Sequence, residues 1–442
     1  MLLNFSVRNF RAFADEVELS MESASLLTTV PPTGHTWVGA TEHVAAVYGA
    51  NASGKTTLIE AIRALSRAIA TPGHGAIFQP SSVRAVKDPA TEFFVDFVAG
   101  GVRYAYEVVA TEWGIAREAL YSYPKRQRRM VFVRTQAGED EPLEVVKGQS
   151  LKGPTAEVRR ITTPVMLLLA TAQRYRHVGL MEPARALMDG VGIDLVHFRQ
   201  AQDQDVIRRV VMEMINAESQ VPLVQAMVRA ADLGITEIKV RTEKIPERVQ
   251  RRIRRVLAAL NEGQDETDGD VPDLRDVVVF VHRGEDGETF ELPLERESSG
   301  TLTWLTTVWH ALDALRQGTV LLVDELDASL HPDLARYIVE IFQDEQMNEH
   351  GAQLIFTTHD VSLLGNAPTK LLHPENVWFT QKDGSGRADL FNLADFDTRP
   401  GNNSEKQYLA GRFGAVPDID DGLLLSYIGE RGRDTELVGH DA

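Results

Sequence analysis

The sequence predicts an α/β fold with a doubly wound parallel core, an antiparallel β lobe and a helical insertion. Three observations carry this reading. Short apolar, β-branched runs at Val44–Val47, Val320–Val323 and Leu354–Thr357 are interspersed with helix-like stretches at Thr57–Ile62, Thr301–Leu315 and Pro332–Phe342. Such runs suit strands buried on both faces of a parallel sheet. Two pairs of strand-like segments read as hairpins: Phe93–Val98 with Val102–Val109 around Ala99-Gly100-Gly101, and Val277–His282 with Thr289–Pro293 around Gly284-Glu285-Asp286-Gly287. Between Gly153 and Val271 the spacing turns helical, as in Val206-Val210-Val211-Met214 and Leu223-Met227-Ala230, with breaks at Gly179, Gly190 and Pro222.

With 442 residues the chain exceeds a single small module. Its composition, 43% hydrophobic and 25% charged, is that of a globular protein with a sizeable core, which excludes wholesale disorder. The formal charge of −18 argues against a uniformly basic surface, so any contact with nucleic acid has to be local. The absence of cysteine excludes disulfides, thiolate metal sites and cysteine nucleophiles. The opening Met1–Phe10 already alternates like a strand, and the longest apolar run, Val165–Ala170, is far short of the roughly 20 residues of a membrane span; a cytoplasmic protein is expected. The stretch from Asn261 to Pro272, rich in Gly and acidic residues, reads as an exposed linker. The expected division is residues 1–152 and 273–420 for two halves of one head, 153–272 for the insertion with its linker, and 421–442 for a tail.

Gly49-Ala50-Asn51-Ala52-Ser53-Gly54-Lys55-Thr56 matches G-x-x-x-x-G-K-[ST] between a strand-like and a helix-like segment, the context that the motif of a P-loop NTPase requires. The glycines let the backbone wrap closely round a phosphate, and the helix start turns N–H groups toward the anion. Gly49, Asn51, Ala52, Ser53, Gly54, Lys55, Thr56 and Thr57 are therefore candidate ATP-binding residues. Lys55 adds a full charge near the β- and γ-oxygens, and the Thr56 hydroxyl is a candidate ligand of Mg2+.

Val320-Leu321-Leu322-Val323-Asp324-Glu325 is an apolar strand ending in two carboxylates. Alone, it also fits acidic residues at the start of the next helix. Beside a phosphate loop, Asp324 becomes the second candidate metal ligand and Glu325 the candidate base for an attacking water. A further strand ends in Thr357-Thr358-His359-Asp360, which makes His359 a candidate contact for the γ-phosphate.

In this order, these pieces resemble the ABC-type ATPase head shared by RecF, the SMC proteins and the OLD-like ATPases. More specifically, the chain resembles stand-alone AAA family ATP-binding proteins of bacterial phage-defence operons, of the RloA/AbiL type. The resemblance spans nearly the whole length. It rests on Val7-Arg8-Asn9-Phe10-Arg11-Ala12-Phe13, the phosphate loop, Glu297-Ser298-Ser299-Gly300-Thr301, Asp324 through Pro332, Thr358-His359-Asp360, and Tyr408 through Pro417. It implies a homodimer that sandwiches ATP, with Ser298, Ser299 and Gly300 reaching the γ-phosphate held by the other subunit, and Ala328-Ser329-Leu330-His331 crossing the same interface. Taken alone, Ser298-Ser299 also fits an ordinary helix N-cap. Arg11 joins the nucleotide-binding candidates, and Gln79 is the nearest candidate for the glutamine such heads place between their lobes. Heptads are not sustained, so an SMC-like coiled-coil tether is not expected, and the residues after the head leave no room for the nuclease domain of OLD proteins.

Two basic clusters oppose the acidic average: Lys125-Arg126-Gln127-Arg128-Arg129, and the helix-like Arg248–Arg255 with Val249, Ile253, Val256 and Leu260 along one face. Arg251, Arg252 and Arg255 are candidates for a DNA or RNA contact, an acidic partner protein and a plain solvated face being the alternatives. The function expected is Mg-dependent ATP hydrolysis by a homodimer that controls a separate effector in phage defence. A RecF-like DNA-repair ATPase and a non-enzymatic, nucleotide-stabilised scaffold are the alternatives. A transporter ATPase fits less well because of the long insertion.

Overall fold

The computed structural model describes residues 1–71, 73–83, 90–189, 196–197, 208, 210–212, 221–231, 234–260, 273–396 and 403–416. The expected linker over 261–272, the tail over 421–442 and most of the 206–214 stretch lie outside them.

Strands β1 (Leu2–Arg8), β2 (Val17–Ser20), β4 (Thr91–Ala99), β5 (Val102–Thr111), β6 (Gly114–Tyr123), β7 (Arg129–Thr135) and β8 (Glu144–Lys147) form one antiparallel sheet in the order β2-β1-β4-β5-β6-β7-β8. The turn between β4 and β5 is made by Gly100 and Gly101, both at positive φ, 53° and 76°, which suits a tight hairpin. The second sheet holds β3 (Val44–Gly49), β9 (Val196–His197), β13 (Val320–Asp324), β14 (Gln353–Thr357), β15 (Val377–Lys382) and β16 (Ala388–Asn392), in the order β16-β15-β3-β14-β13-β9. Its pairings are parallel except β15 with β16.

Alternation along the parallel strands divides their side chains between two apolar clusters. Ala45, Val47, Val320, Leu322 and Ile355 face the antiparallel sheet across the helix Lys55–Ala70, which contributes Leu58, Ile59, Ile62, Leu65 and Ile69 at helical spacing. Val44, Ala46, Tyr48, Leu321, Val323, Leu354 and Phe356 face the opposite way, onto the helices Ser299–Gln317 and Pro332–Gln343. The parallel core is thus covered on both faces, as its unbroken apolar strands require. Gln353 ties the two sheets together. Its Oε1 accepts from Leu2 N at 2.7 Å and its Nε2 donates to Leu2 O at 2.8 Å, both in the interior, and to Glu42 O at 3.1 Å.

The insertion differs from its expected purely helical character. Helices Thr155–Ile161, Leu168–Arg174 and Met181–Met188 join the same apolar cluster as Lys55–Ala70. Glu118 of β6 accepts the first N–H groups of the middle helix, from Leu168 at 2.5 Å and Leu169 at 2.8 Å. Helices Val221–Ala230 and Glu247–Leu260 flank a strand, β10 (Ile235–Lys244). It pairs with β11 (Leu274–Arg283), and β11 with β12 (Thr289–Pro293), in a three-stranded antiparallel sheet. Glu237, Lys239, Arg241 and Glu243 of β10 alternate with Ile238, Val240 and Thr242, the period of a strand with one polar face, and across β11 Lys239 and Arg241 reach Glu291 of β12 at 3.1 and 2.9 Å.

Candidate nucleotide site

β3 delivers the chain to the carboxyl edge of the parallel sheet, where the Gly49–Thr56 loop turns into the helix Lys55–Ala70. Two glycines are dictated by space. A Cβ on Gly49, at φ 152°, would lie 2.4 Å from Thr380 O and 2.6 Å from Ser53 Oγ; one on Gly54, at φ 123°, would press on Ala388 and Phe13. Ala52 sits in the left-handed region at φ 63°. Ser53 Oγ and Thr380 Oγ1, 2.5 Å apart, pin the loop to β15. Asn51 and Ala52 are exposed at the loop tip, while Ser53, Gly54 and Lys55 are buried.

The Lys55 ammonium folds back to donate to Gly49 O at 2.8 Å and Ala50 O at 3.1 Å. Burial lowers its pKa, an effect opposed by Asp324, Glu325 and Asp327. Thr56 Oγ1 donates to Asp324 Oδ2 at 3.0 Å, so the two residues read as metal ligands are in contact across 268 positions of sequence. Mg2+ fits this donor set: a hydroxyl and a carboxylate are hard oxygen donors, and such an ion completes its shell with waters and phosphate oxygens. The described residues contain no cluster of three or more His, Asp or Glu side chains that could cage a metal by themselves.

Glu325 follows Asp324 at φ 57°, a left-handed bend that ends the strand, and its side chain is exposed. His359 joins the cluster from the end of β14, where its backbone N–H donates to Asp327 Oδ1 at 3.1 Å. Its pKa is lowered below 6.5 by burial and then by the Lys55 ammonium, against the carboxylates of Asp327, Glu325 and Asp324. The structure therefore gathers Gly49, Ser53, Gly54, Lys55, Thr56, Asp324, Glu325 and His359 at one edge, with Thr57 in the first turn of the helix.

Other candidates have contacts of their own. Arg11, at φ 48° in the turn after β1, donates through Nε to Gln79 Oε1 at 2.6 Å and lies 4.0 Å from Glu60. The Gln79 amide is engaged there and with Ala76 O at 2.7 Å. Ser298 caps the helix Ser299–Gln317 by accepting from Thr301 N at 3.0 Å. Ser298 and Ser299 are exposed, and no hydrogen bond among the described residues joins Ser298, Ser299 or Gly300 to the phosphate loop. Gly300 instead packs under the turn after Glu325, where a Cβ would lie 2.9 Å from Ser329 O. Glu297 binds His282 of β11, and Trp304 Nε1 donates to Met227 O at 2.9 Å, so the helix start is moored to β11 and to the helix Val221–Ala230 of the insertion. Arg251, Arg252 and Arg255 are exposed on the helix Glu247–Leu260. In the other basic cluster, Arg128 stacks on Tyr121 with its guanidinium carbon 3.6 Å from the ring centroid and pairs with Glu107.

Two threonines escape sequence reasoning. Thr380 backs the loop from 327 residues away, with no local signal. Thr357 stands in the Thr357-Thr358-His359-Asp360 string, but only the β13–β14 register reveals what it touches.

A strand, a glycine-bounded loop, a buried lysine and a carboxylate facing the loop threonine define the class of phosphate-loop ATPases. The chain belongs to the family described as "AAA domain, putative AbiEii toxin, Type IV TA system", whose model matches residues 44–168 and 216–365, more than half of it. Among solved structures it is similar to an SMC head domain from Thermotoga maritima, with 14% identity, 88% of this chain and 98% of that one covered, and a TM-score of 0.39. It is also similar to an Smc head domain with an extended coiled coil bound to the C-terminal domain of ScpA from Pyrococcus furiosus, with 12% identity, coverage of 92% and 98%, and a TM-score of 0.34. No curated protein matches it. No helix among the described residues is long and apolar enough to cross a membrane.

Proposed function

We propose that the chain is a Mg-dependent, cytoplasmic ATP hydrolase that closes head to tail with a second copy around ATP and thereby controls a separate effector protein in phage defence. The observation that carries hydrolysis is the Thr56–Asp324 contact at 3.0 Å beside a buried Lys55. In the proposed chemistry the Lys55 ammonium leaves the Gly49 and Ala50 carbonyls for the triphosphate. Glu325 takes the proton of the attacking water on its carboxylate, and neutral His359 meets the γ-phosphate. Thr56 and Asp324 would hold Mg2+, which when bound neutralises phosphate charge.

Closure is supported by Ser298 and Ser299. They stand exposed at a helix start that, among the described residues, makes no hydrogen bond to the chain's own loop, and such a start suits an anion held by another copy. The proposed organisation keeps residues 1–152 and 273–420 as head halves, 153–272 as insertion and 421–442 as tail. The test is light-scattering mass of Glu325→Gln with ATP and Mg2+. We expect full nucleotide binding, a dimer and turnover lowered about a hundredfold or more. A monomer under these conditions sinks the closure, and parental turnover sinks the role of Glu325.

A nucleic-acid contact is a second reading, favoured by one observation. Arg248, Arg251, Arg252 and Arg255 follow i, i+3, i+4, i+7 spacing along an exposed helix of an acidic protein. Reversing Arg251, Arg252 and Arg255 to Glu is expected to remove a salt-dependent binding isotherm; an unchanged isotherm overturns it.

A further inference from the structure

We propose that Thr357 is the positioning residue that sets both carboxylates of the site, an inference that rests on the reading of the chain as an ATP hydrolase. β13 and β14 run parallel with Val323 opposite Phe356, so the next pair in register is Asp324 and Thr357. The Thr357 hydroxyl donates to Asp324 Oδ1 at 2.6 Å and accepts from Glu325 N at 2.7 Å. Its carbonyl oxygen accepts from Leu326 N at 2.9 Å. One fully buried side chain and its backbone thus hold three successive residues at the point where the chain leaves the sheet.

That point is where the bend needs holding, because Glu325 adopts φ 57°, a conformation disfavoured for residues other than glycine. The hydroxyl also fixes the proton arrangement. It spends its hydrogen on Asp324, so its lone pair faces the Glu325 amide, and Asp324 stays an acceptor for Thr56 Oγ1 on the loop side. Valine has the same shape and β-branching but neither donates nor accepts. Thr357→Val therefore removes the hydrogen bonds made by the hydroxyl while keeping the packing, whereas Thr357→Ser keeps them.

The experiment compares the parent, Thr357→Val, Thr357→Ser and Glu325→Gln, each checked by circular dichroism. It reads mant-ATP binding across a Mg2+ titration, then kcat and KM. Groups that orient a metal ligand typically matter by about 10- to 100-fold in affinity or activity. For Thr357→Val we expect mant-ATP affinity without Mg2+ within about twofold of the parent, the Mg2+ midpoint raised at least about fivefold, kcat lowered at least about tenfold, and KM little changed. Thr357→Ser is expected to restore the parental Mg2+ midpoint and most of kcat.

A merely structural role would lower the melting temperature and leave the Mg2+ midpoint in place, and that result overturns the proposal. So does a serine variant as impaired as the valine one. Should Thr357→Val not fold, Thr357→Ala is read by the same criteria. If the parent binds nucleotide but neither it nor Glu325→Gln turns it over, the hydrolase reading fails, while the Mg2+ midpoint still decides the hold on Asp324. A parent that binds no nucleotide overturns both.

Discussion

The phosphate loop and the Ser298–Gly300 helix start are both glycine-containing turns that open a helix, yet they are held in opposite ways. The loop is enclosed: Ser53 is pinned to Thr380, Lys55 is buried on its own carbonyls, and Thr56 rests on Asp324. The serines face outward, and what fixes them lies behind, in the His282–Glu297 tie to β11, the Trp304–Met227 tie to the insertion and the close approach of Gly300 to Ser329. The contrast teaches that the loop is closed by contacts reaching it from several strands, while the serines stand exposed and are fixed only from behind.

The contrast breaks most sharply at the enclosed end. Lys55→Ala removes the one ammonium buried against the loop carbonyls, and mant-ATP affinity is expected to fall about a hundredfold or more by fluorescence titration. A loss under threefold would mean that the loop amides alone hold the nucleotide. At the outward end, Ser299→Arg is expected to leave monomer affinity for mant-ATP within about twofold but to lower turnover at least about tenfold and abolish the ATP-dependent dimer, read by light scattering. Equal losses of affinity and turnover would show that the serines act within their own chain.

The smallest effect sharpens the electrostatics. Protonating His359 adds a positive charge near Lys55, which is one reason that its pKa lies below 6.5. Lys55→Ala takes that charge away, so the His359 pKa is expected to rise, and proton NMR of the imidazole over pH 5 to about 8 checks the sign. A fall would show that the Lys55 charge is not what holds the His359 pKa down.

Features with a local signature were legible in the sequence. The loop glycines, the strand ending in Asp324-Glu325, and the hairpins at Gly100-Gly101 and Gly284–Gly287 each follow from spacing within about a dozen residues, and the structure has those elements. Features set by pairing were not. β10 was missed although Glu237, Lys239, Arg241 and Glu243 alternate with Ile238, Val240 and Thr242, because it lies between helix-like stretches and the strand it pairs with, β11, is dozens of residues away. The Thr357 contacts depend on a parallel register, and Thr380 reaches Ser53 only because β15 lies beside β3. Gln79 was legible as a candidate by its residue type alone, and the Arg11 turn that engages it depends on a left-handed backbone that the sequence does not announce.

β3 has β14 on one side and β15 on the other, and Gln353 stitches Leu2 to the same sheet. During synthesis, the strand that bears the loop therefore emerges from the ribosome some 300 residues ahead of both its neighbours; Ala45 and Val47 can pack at once on the helix Lys55–Ala70, but Val44, Ala46 and Tyr48 and both edges of the strand wait for later segments. A truncated product lacking β14 and β15 would carry an intact phosphate-loop motif without the sheet that shapes it, and nascent chains of this protein should be clients for chaperones until β14 and β15 have emerged.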